Sequence, residues 1–145
     1  MPLRLSVEVS NLAVLQRLIN QWAINQRAQL VRALGECGLV VQAEARQLIL
    51  KGPKTGRIYV RRGRIRHRAS APGQPPASDT GTLVRSIVMD VDATKLTVSV
   101  GSNVKYAPYL ELGTRRMKAR PFLSLALENK RSTIVKIIAA RMKQR

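Results

Sequence analysis

The stretch SIVMDVDATKLTVSVG, residues 86–101, decides the fold class. Ile87, Met89 and Val91 alternate with polar or small residues, and so do Leu96, Val98 and Val100 on the return. A period of two places each set on one face of a strand. Asp92-Ala93-Thr94 lies between the two runs and supplies a turn, so the segment predicts an antiparallel hairpin. Its flanks obey a different period. Leu12, Leu15, Leu18, Ile19, Trp22, Leu30, Val31, Leu34, Val41, Ala45, Leu48 and Ile49 recur at helical spacing. They predict one long helix over 11–50, kinked near Gly35 and Gly38, with this stripe as core packing. After the hairpin, Pro121 opens a second helix whose Phe122, Leu123, Ala126, Leu127, Ile134, Ile137 and Ile138 share a face. The expectation is an α+β fold: a long N-terminal helix and a C-terminal helix packed on a small antiparallel sheet.

Shorter signals fill in the rest. LRLSVE (3–8) alternates and predicts a short strand, with Ser10 or Asn11 as helix cap. Gly52-Pro53 ends the long helix. RIYVR (57–61) and RIRHR (64–68), joined at Arg62-Gly63, predict a second hairpin. ASAPGQPPASDTG (69–81) holds three prolines and two glycines, which suits an extended, partly stiff loop. Asp79 or Thr80 is placed to cap a short helix through Leu83-Val84-Arg85. YAPYLEL (106–112) makes a compact turn or short helix stopped by Gly113.

The chain has 145 residues, room for one domain spanning 1–145 with a real core. Aromatics are only 3%, so that core must be aliphatic. Twenty-six Lys and Arg stand against eight Asp and Glu, a formal charge of +18. Such a charge repels itself and points to a polyanionic partner: nucleic acid first, with an acidic protein surface or a membrane as alternatives. Between Glu44 and Asp79 there is no acid, but there are nine basic residues. Arg57, Arg61, Arg62, Arg64, Arg66 and Arg68 crowd the first hairpin. Clustered guanidinium groups suit sequence-blind contact with duplex phosphates, and they suit an acidic neighbour equally well. Arg115, Arg116, Lys118 and Arg120 form a second cluster, and Arg141, Lys143 and Arg145 a third.

Catalysis finds little support. Cys37 is the sole cysteine and sits among apolar residues, and His67 is the sole histidine. A Cys–His pair or a metal site would need more ligands and an orienting acid. Asp90 and Asp92 share one strand face but have no third acid beside them. No enzyme, cofactor or metal is expected. The opening residues lack the pattern of a signal peptide, and no run is long enough to span a membrane, so cytoplasmic synthesis and use are expected.

Two segments carry a resemblance. APGQPPASDTGTLVRSIVMDV (71–91) and VGSNVKYAPYLELGTRRMKARPFLSLALE (100–128) pair a Pro-rich loop and D-T-G-x-L-x-x-S-I with V-G-S-N-x-x-Y-A-x-Y-x-E-x-G-T and R-P-F-L. The ordered series resembles the neck and tail-completion proteins of long-tailed double-stranded DNA phages, which include the minor tail protein Z type of lambda-like phages and related virion morphogenesis proteins. It covers roughly residues 60–130. The resemblance implies a structural virion subunit, a homo-oligomer forming a six-membered ring between head-completion and tail-terminator proteins, with the genome passing through. It marks Asp79, Gly81, Tyr106, Tyr109, Glu111, Gly113, Thr114, Arg115, Arg120 and Phe122 as interface or signature-turn positions. Read as chemistry, Gly101 and Gly113 permit tight turns. Tyr106 and Tyr109 anchor the turn to the sheet or a neighbour, and Glu111 pairs with Arg115, Arg116 or Arg120, within the subunit or across subunits. The alternative is a stand-alone, sequence-nonspecific nucleic-acid-binding protein.

Overall fold

Residues 12–143 are described by a computed structural model. The expected strand at 3–8 and the caps Ser10 and Asn11 lie outside the described residues. Helix α1 runs Leu12–Lys51 and is unbroken through Gly35 and Gly38. Strands β1 (Ile58–Arg61) and β2 (Ile65–Arg68) follow, then a one-turn helix α2 (Thr82–Arg85). Strands β3 (Ile87–Asp92) and β4 (Thr97–Ser102) come next, then α3 (Ala107–Leu112) and α4 (Leu123–Lys143). The strands form two separate antiparallel hairpins, β1–β2 and β3–β4. The α+β expectation therefore stands, with both predicted hairpins present.

The β3–β4 register pairs Met89 with Val100 and Val91 with Val98, so the two alternating runs meet on one face. Leu96 is not part of that face. It sits in the turn at φ 55°, and β4 begins at Thr97. Asp92 builds the turn: its Oδ1 accepts the amides of Thr94 and Lys95 at 2.9 and 3.0 Å. Gly101 also departs from expectation. It lies within β4 opposite Val88, in open space, because the ladder continues to Ser102.

The core gathers where the second half of α1 meets everything else. Val41, Ala45, Ile49, Leu83, Ile87, Ala107, Phe122 and Ala126 form one buried cluster. It is aliphatic except for Phe122, the only phenylalanine, which is fully buried. The cluster draws on the D-T-G-x-L segment through Leu83 and on the R-P-F-L segment through Phe122. Helix α4 runs antiparallel along α1. Glu44 accepts from the Asn129 amide and pairs with Lys130, and Arg141 pairs with Glu36 at the other end. The Asn129 amide, against burial and with Lys130 assisting, holds the Glu44 carboxyl below its ordinary value. Cys37 is buried in the seam, its thiol pushed up by burial and by the adjacent Glu36.

Gly38 sets how closely the hairpin approaches α1. It is buried, and a Cβ there would run into the Met89 thioether and Val98 Cγ2. Gly38→Leu is expected to lose about 2 kcal/mol in urea unfolding, overpacking outweighing the better helix propensity. Wild-type stability for that variant would show that Met89 and Val98 simply move aside.

The first half of α1 corrects the sequence reading. Leu12, Leu15, Leu18, Ile19 and Trp22 fall on a helical stripe, but they do not pack in a core. Every residue from Leu12 to Asn25 is exposed, with Leu12, Leu18 and Trp22 at 67, 63 and 64%. The reason is reach. The described part of α4 ends at Lys143, its Met142 lining an open recess with Trp22, Gln29 and Arg32, and the β3–β4 turn is hydrogen-bonded to α1 at Arg27. About 21 Å of exposed helix lies on the N-terminal side of Arg27.

Candidate functional site

The basic hairpin begins just after α1 ends. Its ladder pairs Tyr59 with His67 and Val60 with Arg66. One further rung joins Ala69 to Gly56 and Arg57. The turn uses Arg62 at φ 50° and Gly63 at φ 69°, the left-handed pair that a primed hairpin turn requires. Alternation then sorts the arginines. Arg66 and Arg68 share the face of Ile58 and Val60, whereas Arg61 shares the opposite face with His67 and Tyr59. Arg62 and Arg64 occupy the tip, and Arg57 stands 5.9 Å from the Tyr59 ring centre.

The six arginines are therefore not one surface. Arg61 donates to Asp79 Oδ2 at 2.8 Å, and His67 Nδ1 lies 3.7 Å from Asp79 Oδ1. Arg57, Arg62, Arg64, Arg66 and Arg68 are exposed, with no acidic partner among the described residues. Asp79 or Thr80 was the expected cap of α2, and neither side chain fills it. Asp79 is drawn instead to the hairpin, and Gly81 at φ 76° takes the cap position with no side-chain bond. The Pro-rich loop is not a free flap either. Gly73 N–H bonds Ala119 O, Ser78 N–H bonds Ile49 O, and the Gln74 side chain joins Thr55 to Ala71. Pro76 is buried. The loop is stapled to the body, whereas the hairpin beside it projects.

The two signature segments meet in space. Ser86 Oγ lies 2.6 Å from Ser102 Oγ, joining S-I to G-S-N. The E-x-G-T segment then folds back on R-P-F-L. Glu111 does not pair with Arg115, Arg116 or Arg120. Its Oε2 accepts the amides of Phe122 and Leu123 at 2.8 and 2.9 Å, and its Oε1 accepts the Ser124 amide at 2.8 Å and the Ser124 hydroxyl at 2.5 Å. These are the unpaired donors of the first turn of α4, and a carboxylate there also meets the positive end of the helix dipole. Burial pushes the Glu111 carboxyl up, but the four bonds together outweigh it and hold it below its ordinary value.

Gly113, at φ 77° and ψ 177°, turns the chain after α3. Thr114 and Met117 then bridge, with Thr114 Oγ1 accepting the amides of Arg116 and Met117 at 3.3 and 3.1 Å. Arg115, Arg116 and Lys118 are exposed on this turn. Arg120 returns to the body, its amide donating to Leu110 O at 2.6 Å. Tyr106 and Tyr109 are 45 and 58% exposed. Tyr109 is too open to anchor the turn to this chain's own sheet.

A recess of about 250 Å3 lies where these parts converge. Arg61, His67, Asp79, Gly81, Tyr106 and Arg120 line it, from the hairpin, the D-T-G loop, α3 and the signature turn. Sequence reasoning assigned five of these six positions, but assigned them to two unrelated clusters. His67 was set aside for want of a nearby carboxylate. The Asp79 carboxylate is twelve residues away in sequence and adjacent in space, which no local pattern reveals. The exposed arm of α1 was also missed. Its signal was present: residues 12–26 hold one charge, Arg17, in a chain carrying +18. Among the described residues no three His, Cys, Asp or Glu side chains cluster as a metal site, and no helix is long and apolar enough to cross a membrane.

Comparison with curated proteins finds no match, and no solved structure matches. A family model does match, over residues 15–113, described as "Bacteriophage HK97-gp10, putative tail-component". The matched region differs from the one carrying the resemblance. It reaches back across α1, including most of the exposed arm, and stops at Gly113, before the R-P-F-L segment. Most of the arm, together with the basic hairpin, the D-T-G loop and the Y-A-x-Y-x-E-x-G turn, falls within it, over more than half of the chain, and the protein belongs to the HK97 gp10-like family of phage tail components.

Proposed function

We propose that this protein is a single-domain, non-enzymatic subunit that completes the tail and joins it to the head of a long-tailed double-stranded DNA phage. It acts in the virion neck as a ring, six copies in the simplest reading, seated between head-completion and tail-terminator proteins. Assembly takes place in the cytoplasm of the bacterial host. The observation that carries this reading is the uncovered arm of α1. Leu12, Val14, Leu15, Leu18, Ile19, Trp22 and Ile24 are all about half exposed or more along thirteen residues. A lone domain gains nothing from such a surface, and a short helix without packing is marginal in water. A subunit buries the arm against its neighbours.

The hairpin supplies the second half of the argument. Five unpaired arginines on a projecting ribbon match a polyanion that need not be read base by base, as DNA inside a channel need not be. The same ribbon also supports the alternative, a stand-alone nonspecific nucleic-acid binder. That alternative leaves the apolar arm without a use, so the joining role is preferred.

Electron microscopy of lysates from a phage lacking this gene tests the proposal. Filled heads beside separate, unjoined tails are expected. Normal joined virions would exclude the joining role.

A further inference from the structure

We propose that the recess walled by Arg61, His67, Asp79 and Arg120 is a carboxylate-binding site, taking one acidic side chain from an abutting subunit in the virion. The proposal rests on the assembly role above and adds to it a defined point of recognition.

Arg120 is the first observation. Its Nε is enclosed yet has no hydrogen-bond partner, and no described acid pairs with its guanidinium. An enclosed donor of this kind loses its hydration without replacement unless a ligand supplies an acceptor. Its position is imposed rather than incidental. The amide of Arg120 is held to Leu110 O, and Gly113 and the Thr114–Met117 bridge set the path between the two. The side chain lines a recess that is open to solvent and large enough for the end of an acidic side chain.

Charge identifies the ligand. Two arginines, Arg61 and Arg120, and one carboxylate, Asp79, line the recess together. One net positive charge remains, which a single carboxylate neutralises. A phosphate dianion would leave an excess of negative charge beside Asp79. Asp79 also has a positive role. By holding Arg61 at 2.8 Å, it fixes the outer wall of the recess and ties the hairpin to it. A guanidinium fork and a carboxylate make the strongest pairing available to neutral-pH side chains, and one that fixes geometry.

Two sources of the carboxylate are open on this chemistry. One is a second copy of this chain. Glu36, Glu44, Asp79, Asp92, Glu111 and Glu128 are each engaged within the subunit, whereas Asp90, exposed on β3, has no partner among the described residues. The other is an acidic residue of a different virion protein.

The test is a titration of the purified full chain with sodium acetate, followed by NMR at the Arg120 Nε–H and the His67 ring. Saturable shifts at both, with one common midpoint, are expected. Arg120→Gln is expected to abolish the His67 response while its thermal melt confirms the fold. Arg61→Gln, on the projecting hairpin, gives a second variant that leaves the core untouched, with an expected weakening of several-fold. No saturable shift in the wild type, or an unchanged response in Arg120→Gln, overturns the proposal, since the anion would then be adsorbing elsewhere on a +18 surface. Tighter binding of inorganic phosphate than of acetate at these same atoms also overturns it and reassigns the recess to nucleic-acid phosphate. Given acetate binding, dilution names the source. Shifts that depend on protein concentration in the wild type and not in Asp90→Asn assign the carboxylate to a second copy. Shifts independent of concentration assign it to another virion protein. None of these readouts depends on the phage-deletion phenotype.

Discussion

Gly113→Ala is expected to lose about 3–5 kcal/mol of stability, a drop of about 10–15 °C in Tm. Two effects combine. At φ 77° and ψ 177° the residue sits in a region of backbone space that is essentially closed to side chains. A Cβ would also lie 2.7 Å from Ala119 N and 2.9 Å from Met117 O. Both neighbours are backbone, so neither can swing away as a flexible side chain would. Relieving the clash means opening the Thr114–Met117 bridge and the Arg120–Leu110 bond. Circular dichroism melts of the purified variant measure the loss. A change within about 0.5 kcal/mol, the range of ordinary surface substitutions, would mean that the turn is softer than its geometry implies.

Glu111→Ala is the second large effect, with an expected loss of about 2–4 kcal/mol. The variant strands the amides of Phe122, Leu123 and Ser124 at the start of α4, directly beside the fully buried Phe122 ring. Glu111→Gln keeps acceptor atoms but loses the charge, and an intermediate loss is expected. The wild type carries a matching pH signature. The folded-state pKa of Glu111 lies below its ordinary value, so as pH falls the unfolded chain takes up the proton first. This stabilisation is whole above the unfolded value of about 4.3 and is lost as pH falls through the folded value. Urea unfolding of wild type and Glu111→Gln across acid pH checks it. The difference between the two should narrow as pH drops below about 4. A constant difference would show that Glu111 acts through packing alone.

Both predictions concern residues that the motif marks, and both turn out to hold the fold. Tyr109 and Arg115 are marked residues that remain exposed without a described structural task. Marked positions thus divide into those whose bonds and packing hold the fold and those whose side chains stay exposed. Substitutions at Glu111 or Gly113 therefore cannot report on assembly, because they act on stability first.

Much of the architecture was legible from period alone. Alternation over 87–100 and helical spacing over 12–50 are local properties, and local geometry follows from them without knowledge of the rest of the chain. The hairpin turn at Arg62-Gly63 was legible for the same reason. What failed was the step from periodicity to burial. Leu12, Leu15, Leu18, Ile19 and Trp22 share a face in either case, but burial needs a partner, and the described part of α4 ends too soon to provide one. Side-chain pairing was equally out of reach. Asp79 chose Arg61 over the amides of α2, and Glu111 chose α4 over nearby arginines. Each choice joins residues eleven or more apart in sequence, and only the folded path brings them together.

By itself, the sequence determined the helices, the two hairpins, the aliphatic core and the excess of positive charge, because all four follow from residue order and composition. Among the described residues, the tertiary structure decided which arginines are free, which signature residues hold the turn, that Arg120 has no acidic partner and that the arm of α1 stays exposed. Those outcomes depend on which atoms lie within a few ångströms of one another across long stretches of chain, and no spacing rule encodes that distance.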